Sequence, residues 1–377
     1  MICRSLTMMV KLLRNSNASE RQGTTIVYPD KSAGEALNET TVGDQLLAAL
    51  RQRMGDASLE FSEPPTRITG GFETLTYGFR LSAVSGDFAG PLVLRLFNQT
   101  DAADQGRREE AVQNALAALG YPVPRVVGQF DAGINGRSFN VIKRIAGHAM
   151  TAEVGLTEEA SVKVTTWLAK LHSQLHRIPS GPVIEAVEKA GFPRERFSME
   201  ARFRYMSRYF EDHALDGLKP AFDWLVRNKP AEQRRSVVCH GDFHPGNVMI
   251  EDGNVTGVID WSAAAFADPE MDVAATLTVI KVAAGELEPK LRPFLDTMAA
   301  LYLKVYQEST PIDPDKVLYY EAFRCFRTFT RATALHTPGL PPSLVPHDQY
   351  PWSGEFAMQM ARAQVKEVTG IEMPMTS

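Results

Sequence analysis

Residues 240–247 read HGDFHPGN, and shortly afterwards residues 258–261 read VIDW. An acid, an amide and a second acid thus stand at intervals suited to phosphoryl transfer to a hydroxyl. Asp242 is the candidate to accept the proton of an attacking alcohol, while Asn247 and Asp260 offer the hard oxygen ligands that magnesium takes when it bridges nucleotide phosphates. His240 and His244 flank Asp242 and complete the set of candidate catalytic side chains. Two histidines four residues apart would also suit zinc on a helix. Gly241, Pro245 and Gly246 argue against a helix here, and the glutamate of an H-E-x-x-H site is missing.

These groups need elements to hold them. Apolar runs at 248–250 and 255–259 flank Glu251-Asp252-Gly253-Asn254, which predicts a hairpin that returns Asp260 close to Asn247. Upstream, residues 68–81 read ITGGFETLTYGFRL, two strands around a Gly-Gly turn whose amides suit phosphate. Gly70, Gly71 and Thr74 are the expected contacts there, although paired glycines are also the ordinary chemistry of a plain tight hairpin. PLVLRLF at 91–97 is an apolar strand with a single charge, Arg95, which requires a carboxylate if it is buried. Apolar residues at three- and four-residue spacing predict an amphipathic helix over 105–119 with Glu109 in its first turns. Glu109 there either meets a cation or complements the helix N-terminus in solvent. Prolines 122 and 124 end that helix, and FNVIKR at 139–144 predicts a strand running into Ile145-Ala146-Gly147.

The run around Asp242 resembles the catalytic core of the aminoglycoside phosphotransferase and choline kinase-like family, a branch of the protein-kinase-like fold. Asp242 and Asn247 keep the spacing of the kinase pattern H-R-D-L-x-x-x-N, and Asp260-Trp261-Ser262 stands where kinases carry Asp-Phe-Gly. Gly241 and His244 match the small-molecule form and not the protein-kinase form, and without the pattern's arginine no activation by phosphorylation is expected. The resemblance covers residues 66–275 at motif level. It implies an α+β, two-lobed fold: an N-terminal antiparallel sheet lobe with one helix, a larger helical C-terminal lobe, and a nucleotide between them. It further implies that Arg95 neutralises nucleotide phosphate and pairs with Glu109. The hinge would lie at Lys143, Arg144 and Ile145, meeting adenine through backbone groups, and Asp272 would brace the catalytic loop from below. The co-substrate would be ATP or GTP with Mg2+, and the acceptor a small hydroxylated molecule.

The rest of the composition agrees with such an enzyme. A chain of 377 residues exceeds one ordinary core. It is expected to divide into a disordered arm at 1–41, a nucleotide-binding lobe at 42–145 and a catalytic and acceptor-binding lobe at 146–377. The net charge of −5 carries no nucleic-acid stripe or polybasic membrane patch. No apolar run is long enough to span a bilayer, and three scattered cysteines suit a reducing cytoplasm. The chain is expected to act there as a monomer or dimer.

Residues 162–175 place Val164, Trp167, Leu168, Leu171 and Leu175 on one face of a central helix, with His172 beside them as a structural residue. Asp268 and Asp272 open a further helix that either could cap. In 319–331, Tyr319, Phe323, Phe326 and Thr330 form a core face, and Arg324, Arg327 and Arg331 read as a solvated one, with anion binding as the alternative. Tyr350 and Trp352 are expected to wall the acceptor pocket. Polycationic acceptors need several carboxylates, and the scattered Asp313, Asp315, Glu321 and Asp348 do not support one. A smaller metabolite, an amino alcohol or a macrolide-like alcohol stays open. Two other classes compete: a nucleotide-binding pseudokinase or scaffold, opposed by the intact Asp242, Asn247 and Asp260, and a protein kinase, opposed by the short interval between Asp260 and Asp268.

Overall fold

The computed structural model describes residues 38–68, 74–97, 103–153, 157–213, 215–230, 236–283, 292–336 and 354–374. Gly70, Gly71, Asp348, Tyr350, Trp352 and the first 37 residues lie outside them. Helix α1 (Glu39–Met54) opens the described chain, capped by Asn38, whose Oδ1 accepts the Thr40 amide at 2.9 Å. A side-chain cap of this kind satisfies one of the amides that a helix start leaves without an internal partner. The arm boundary expected at 41 is therefore corrected, because residues 39–41 are already helical.

Strands β1 (Phe61–Ile68), β2 (Thr74–Leu81), β3 (Leu92–Phe97), β4 (Val126–Ile134) and β5 (Arg137–Lys143) form one antiparallel sheet in the order β1-β2-β3-β5-β4. All six residues of β3 are buried, as an apolar run in the middle of a sheet should be. One face packs on α1, where Val42, Leu46 and Leu50 join Phe79, Leu94, Phe139 and Val141 in one core. Full burial of a Leu or Val side chain contributes about 1.5–3 kcal/mol, so this stripe fixes α1 to the sheet. Helix α2 (Ala103–Ala118) packs on β4 and β5, but its Val112 and Leu116 belong to the larger core of the helical lobe. The helix that carries Glu109 thus touches both halves of the fold.

The chain leaves the sheet through residues 144–147. Gly147 has φ +91°, and a Cβ there would stand 2.0 Å from the Ile250 carbonyl oxygen. Only glycine lets the two backbones pass this closely. The helical lobe then follows: β6 (His148–Ala149), α3 (Glu158–Arg177), α4 (Ser180–Lys189), α5 (Met199–His213), α6 (Lys219–Arg227), β7 (Val237–Cys239), β8 (Val248–Glu251), β9 (Asn254–Val258), β10 (Ala265–Ala267), α7 (Pro269–Thr278), α8 (Arg292–Gln307), α9 (Pro314–His336) and α10 (Glu355–Thr369). Every residue of α7 is buried, and α9 packs against both α7 and α10. No helix among the described residues is long and apolar enough to cross a membrane.

The two-lobed α+β arrangement expected from the sequence is the one found. The hairpin of β8 and β9 turns at Asp252 and Gly253, both with positive φ, 49° and 75°. That is the backbone a two-residue turn needs to match strand twist. Strands β4, β7 and β10 were not anticipated. β7 and β10 have three residues each, too few to show a period, yet their pairing puts Cys239 opposite Ala265 and so sets residues 240–242 beside residues 260–264.

Replacing Gly147 by alanine should lower unfolding stability by at least about 2 kcal/mol, since both left-handed strain and a backbone collision must be relieved. Urea unfolding would measure this; a variant within 0.5 kcal/mol of the parent, roughly the scatter of an ordinary surface substitution, would contradict it.

Candidate active site

Asp272, on α7, lies beneath the 240–247 loop with no exposed surface. Its Oδ2 accepts from the His240 amide at 2.6 Å and from the Nε2 atoms of His172 and His176 at 2.9 and 3.1 Å. Its Oδ1 accepts from the Gly241 amide at 2.7 Å. Both histidines sit on α3 one turn apart, and their Nδ1 atoms meet the hydroxyls of Tyr302 and Tyr306 at 2.6 and 2.5 Å. Burial would raise the Asp272 carboxyl, but the two imidazoles outweigh it and hold the group well below the usual carboxylate range. His172 is pushed down to about 4, chiefly by burial and then by its neighbour His176, against the pull of Asp272. Three ligand-type atoms here lie within 4.8 Å of one another, a spacing metals also use. Protons account for the cluster, because each Nε2–H donates to Asp272 and each Nδ1 receives a tyrosine O–H.

With its first two amides anchored, the loop turns sharply at Gly241, φ +83°, where a Cβ would lie 2.3 Å from the Ala263 carbonyl oxygen. The turn leaves Asp242 partly open, its side chain 36 % exposed. Its Oδ2 lies 3.4 Å from His244 Nε2 and its Oδ1 2.9 Å from Arg324 Nη2. Burial alone would raise the Asp242 carboxyl, but the His244 hydrogen bond and the Arg324 charge hold it well below its ordinary value. His244 Nδ1 accepts the Gly246 amide at 3.1 Å, which leaves Nε2 to carry the proton toward Asp242. Asn247 donates its Nδ2 to the Asp242 carbonyl at 3.0 Å, and the same nitrogen lies 3.2 Å from His244 Nε2.

His240 corrects the sequence reading. Its sequence position beside Asp242 suggests a catalytic group, but it is fully buried, donates from Nε2 to the Ile259 carbonyl at 2.9 Å, and accepts the Asp242 amide at Nδ1 at 3.3 Å. It positions the two ends of the site and cannot meet a substrate.

Arg95 joins the lobes. Its Nη1 bonds Glu109 at 2.6 Å and its Nη2 bonds Asp260 at 3.2 Å. Glu109 has no exposed surface, and Gln105 donates to its second oxygen at 3.0 Å. The carboxylate that the apolar strand required is therefore Glu109, and the solvent-facing alternative for it does not hold. Asp260 adopts φ 63°, ψ 70°, a conformation that costs a non-glycine residue about 1–2 kcal/mol and persists where its surroundings impose it. The 260–264 turn is held further by Arg108, which donates to the Ser262 carbonyl at 2.8 Å.

The other expected contacts divide. Thr74 is buried at the start of β2, opposite Phe97 and two positions from the partner of Arg95. The Lys143 amide donates to the Arg125 carbonyl at 2.9 Å and its Nζ to the Ala89 carbonyl at 2.9 Å, so neither donor is directed to the cleft. Ile145 is half-buried, and its side chain packs over Gly257. Arg324 is the residue that sequence reasoning misplaced. It leaves the solvated stripe expected on α9 and reaches Asp242, while Tyr319, Phe323, Phe326 and Thr330 form the expected buried face. The sequence signals were its place on the same helix as that core face and the anion-binding alternative for the arginine stripe.

A profile of the phosphotransferase enzyme family matches residues 65–309, well over half of the chain. The chain belongs to the phosphotransferase enzyme family. Members of this family are small-molecule kinases with hydroxyl acceptors. An aminoglycoside 3'-phosphotransferase of Streptomyces fradiae is 30% identical over 207 residues, covering 54% of this chain and 72% of that protein. Human acyl-CoA dehydrogenase family member 11 is 28% identical over 181 residues, 46% of this chain. The chain spans only 23% of that relative's length. Among solved structures, an aminoglycoside phosphotransferase APH(4)-Ia mutant in complex with ADP and hygromycin B aligns with a TM-score of 0.55 at 17% identity, over 85% of this chain and 98% of that one. A protein from Ralstonia eutropha JMP134 aligns with a TM-score of 0.62 at 18% identity, over 87% and 98%. At these identities the structural likeness concerns the fold.

The buried network makes stability pH-dependent. His172 in the folded protein titrates near 4, below its ordinary 6.5, so the unfolded chain binds the proton first. Its contribution is present above pH 6.5 and lost as pH falls through 4, about 3 kcal/mol in all. Asp272, also depressed, extends the same loss to lower pH. Ring-nitrogen NMR should find His172 neutral with its proton on Nε2 at pH 5.5, roughly the middle of that window; an imidazolium there would contradict the network.

Proposed function

We propose that this phosphotransferase moves the γ-phosphoryl group of ATP or GTP, bound with Mg2+, to a hydroxyl of a small molecule, with Asp242 as the base. The observation that carries the reading is the bridge from Arg95 to Glu109 and Asp260, at 2.6 and 3.2 Å, with the partly open Asp242 tied to the Asp260 segment through His240, which bonds both the Ile259 carbonyl and the Asp242 amide. It gathers a cation, a metal-ligand carboxylate and a base from segments far apart in sequence.

The donor set fits magnesium, which prefers few carboxylates and further oxygen ligands. Asn247 would present Oδ1, since its Nδ2 is held by the Asp242 carbonyl, and Asp260 would present a carboxylate that is 45 % exposed. When bound, the ion neutralises charge on the phosphates. Arg95 adds a fixed cation beside it, and a guanidinium can hold Glu109 and still face phosphate with another donor. Thr74, at the start of β2, would meet the phosphates from the sheet. Residues 144–147, including Ile145, would face the base of the nucleotide from the link between the sheet lobe and the helical lobe.

The acceptor oxygen bonds the γ-phosphorus, and its hydroxyl proton then passes to Asp242. The bond from that phosphorus to the bridging oxygen breaks, and its electron pair leaves with the nucleoside diphosphate. His244 orients Asp242, and Asp272 keeps the loop in place. A strongly depressed carboxyl is a weak base at neutral pH, which suits a reaction in which proton transfer lags behind phosphorus transfer and positioning does most of the work.

Asp242→Ala should lower kcat about 10²- to 10⁴-fold while Mg-nucleotide affinity stays nearly unchanged. Asp260→Ala should weaken Mg-nucleotide binding at least about ten-fold as well. Calorimetric titration with Mg2+ and AMP-PNP, beside a coupled ADP-release assay, separates the two; an Asp242→Ala enzyme as active as the parent would overturn the mechanism.

A further inference from the structure

The face of the sheet that carries Arg95 has a second, apolar zone. Residues directly opposite one another in an antiparallel sheet share a face, as do residues two apart in one strand. Val93, two positions before Arg95 on β3, therefore shares its face with Gly78 of β2 and Ile142 of β5, its partners on either side. Val126 of β4 stands opposite Ile142. Val93, Val126 and Ile142, with Ile68 of β1 packed against them, form a small apolar cluster apart from the core beneath α1. Same-face neighbours on a strand lie roughly 7 Å apart, so this cluster is one step from Arg95 in the direction of residues 144–147. Gly78 leaves a gap in the face, and the Arg144 guanidinium lies over it. A Cβ on Gly78 would stand 3.0 Å from Arg144 Nη1, 3.8 Å from its Cζ and 3.4 Å from Ile68 Cδ1. The Arg144 amide donates to the Pro91 carbonyl at 3.1 Å, which pins its backbone beside the start of β3. Arg144 is exposed, and among the described residues its guanidinium neither donates a hydrogen bond nor joins an ion pair.

We propose that Arg144 reads the base of the nucleotide and makes this enzyme select guanine over adenine, so that GTP is the phosphoryl donor. The proposal rests on the reading above, in which the phosphates meet Arg95 and the base faces residues 144–147, and it adds which base. A purine nucleotide laid between those two points crosses the Val93 cluster, whose apolar side chains suit the flat ring. The polar edge of the ring then meets a group that can only donate. Guanine presents two acceptors, O6 and N7, side by side, and one guanidinium spans both. Adenine presents N7 next to a 6-amino donor, so one of the two bonds is replaced by donors facing each other, which selects against that ligand. Arg144 touches the base and none of the reacting atoms, so it acts on nucleotide affinity and leaves the chemical step alone.

Calorimetric titration of the full chain with ADP, GDP and inosine diphosphate, each with Mg2+, tests this, because inosine keeps O6 and N7 and lacks the 2-amino group of guanine. GDP and inosine diphosphate should bind alike, both at least about ten-fold more tightly than ADP. Arg144→Met keeps the reach of the side chain and removes its donors. It should bring GDP and inosine diphosphate down to the affinity of ADP while ADP itself is unchanged, and Arg144→Lys should fall between. Because Arg144 is exposed, both variants should fold like the parent. ADP bound as tightly as GDP, inosine diphosphate as weak as ADP, or an Arg144→Met protein with the parent's preference would overturn the proposal and leave the phosphate site standing. Failure of all three nucleotides to bind would overturn it together with the nucleotide reading beneath it.

Discussion

The Asp272 carboxylate accepts two backbone amides and two imidazoles while excluded from solvent. Burying a carboxylate costs several kcal/mol even after relaxation, and each hydrogen bond to a charged group returns about 1.5–3 kcal/mol. Four such bonds together offset the penalty. The arrangement leaves neither carboxylate oxygen without a donor. It forces α3, α7, α8 and the 240–247 loop into one relative placement, because Tyr302 and Tyr306 on α8 lock the far sides of the histidines. The partly open Asp242 and the buried Asn247 inherit their placement from groups that never touch solvent.

A second constraint couples the lobes. Arg95 belongs to the sheet, Glu109 to α2 and Asp260 to the loop after β9, and α2 shares its apolar residues with the helical core. Any motion of the sheet relative to the helices must therefore strain the Arg95 bridge, the Arg108 bond to Ser262, or the glycine crossing at Gly147. In the proposed function, nucleotide phosphates entering beside Arg95 would join this network and would link binding to lobe placement through one guanidinium.

Local features were readable before any coordinates. The hairpin of β8 and β9 follows from a turn sequence between apolar runs, and the burial of Arg95 foretold a carboxylate because a lone charge in an apolar strand cannot stand without one. Glu109 as that partner came from family resemblance and agrees with the distance found. What escaped notice depends on contacts across long stretches of chain. Arg324 and Asp242 are 82 residues apart, and nothing near Arg324 distinguishes it from Arg327 or Arg331. His240 looked catalytic because it adjoins Asp242, yet the pairing of β7 with β10 turns its ring inward. His176 and the two tyrosines of α8 become partners of Asp272 only when four elements are packed together.

The central claim is that Asp272 holds the loop that presents Asp242. Hydrogen exchange of the 237–247 segment in the parent and in Asp272→Asn tests it most directly, with β1 and β2 as an internal reference. The account predicts that the His240 and Gly241 amides exchange at least about ten-fold faster in the variant while the reference strands keep their protection. Equal protection of those two amides in both proteins would show that the loop is ordered by something else.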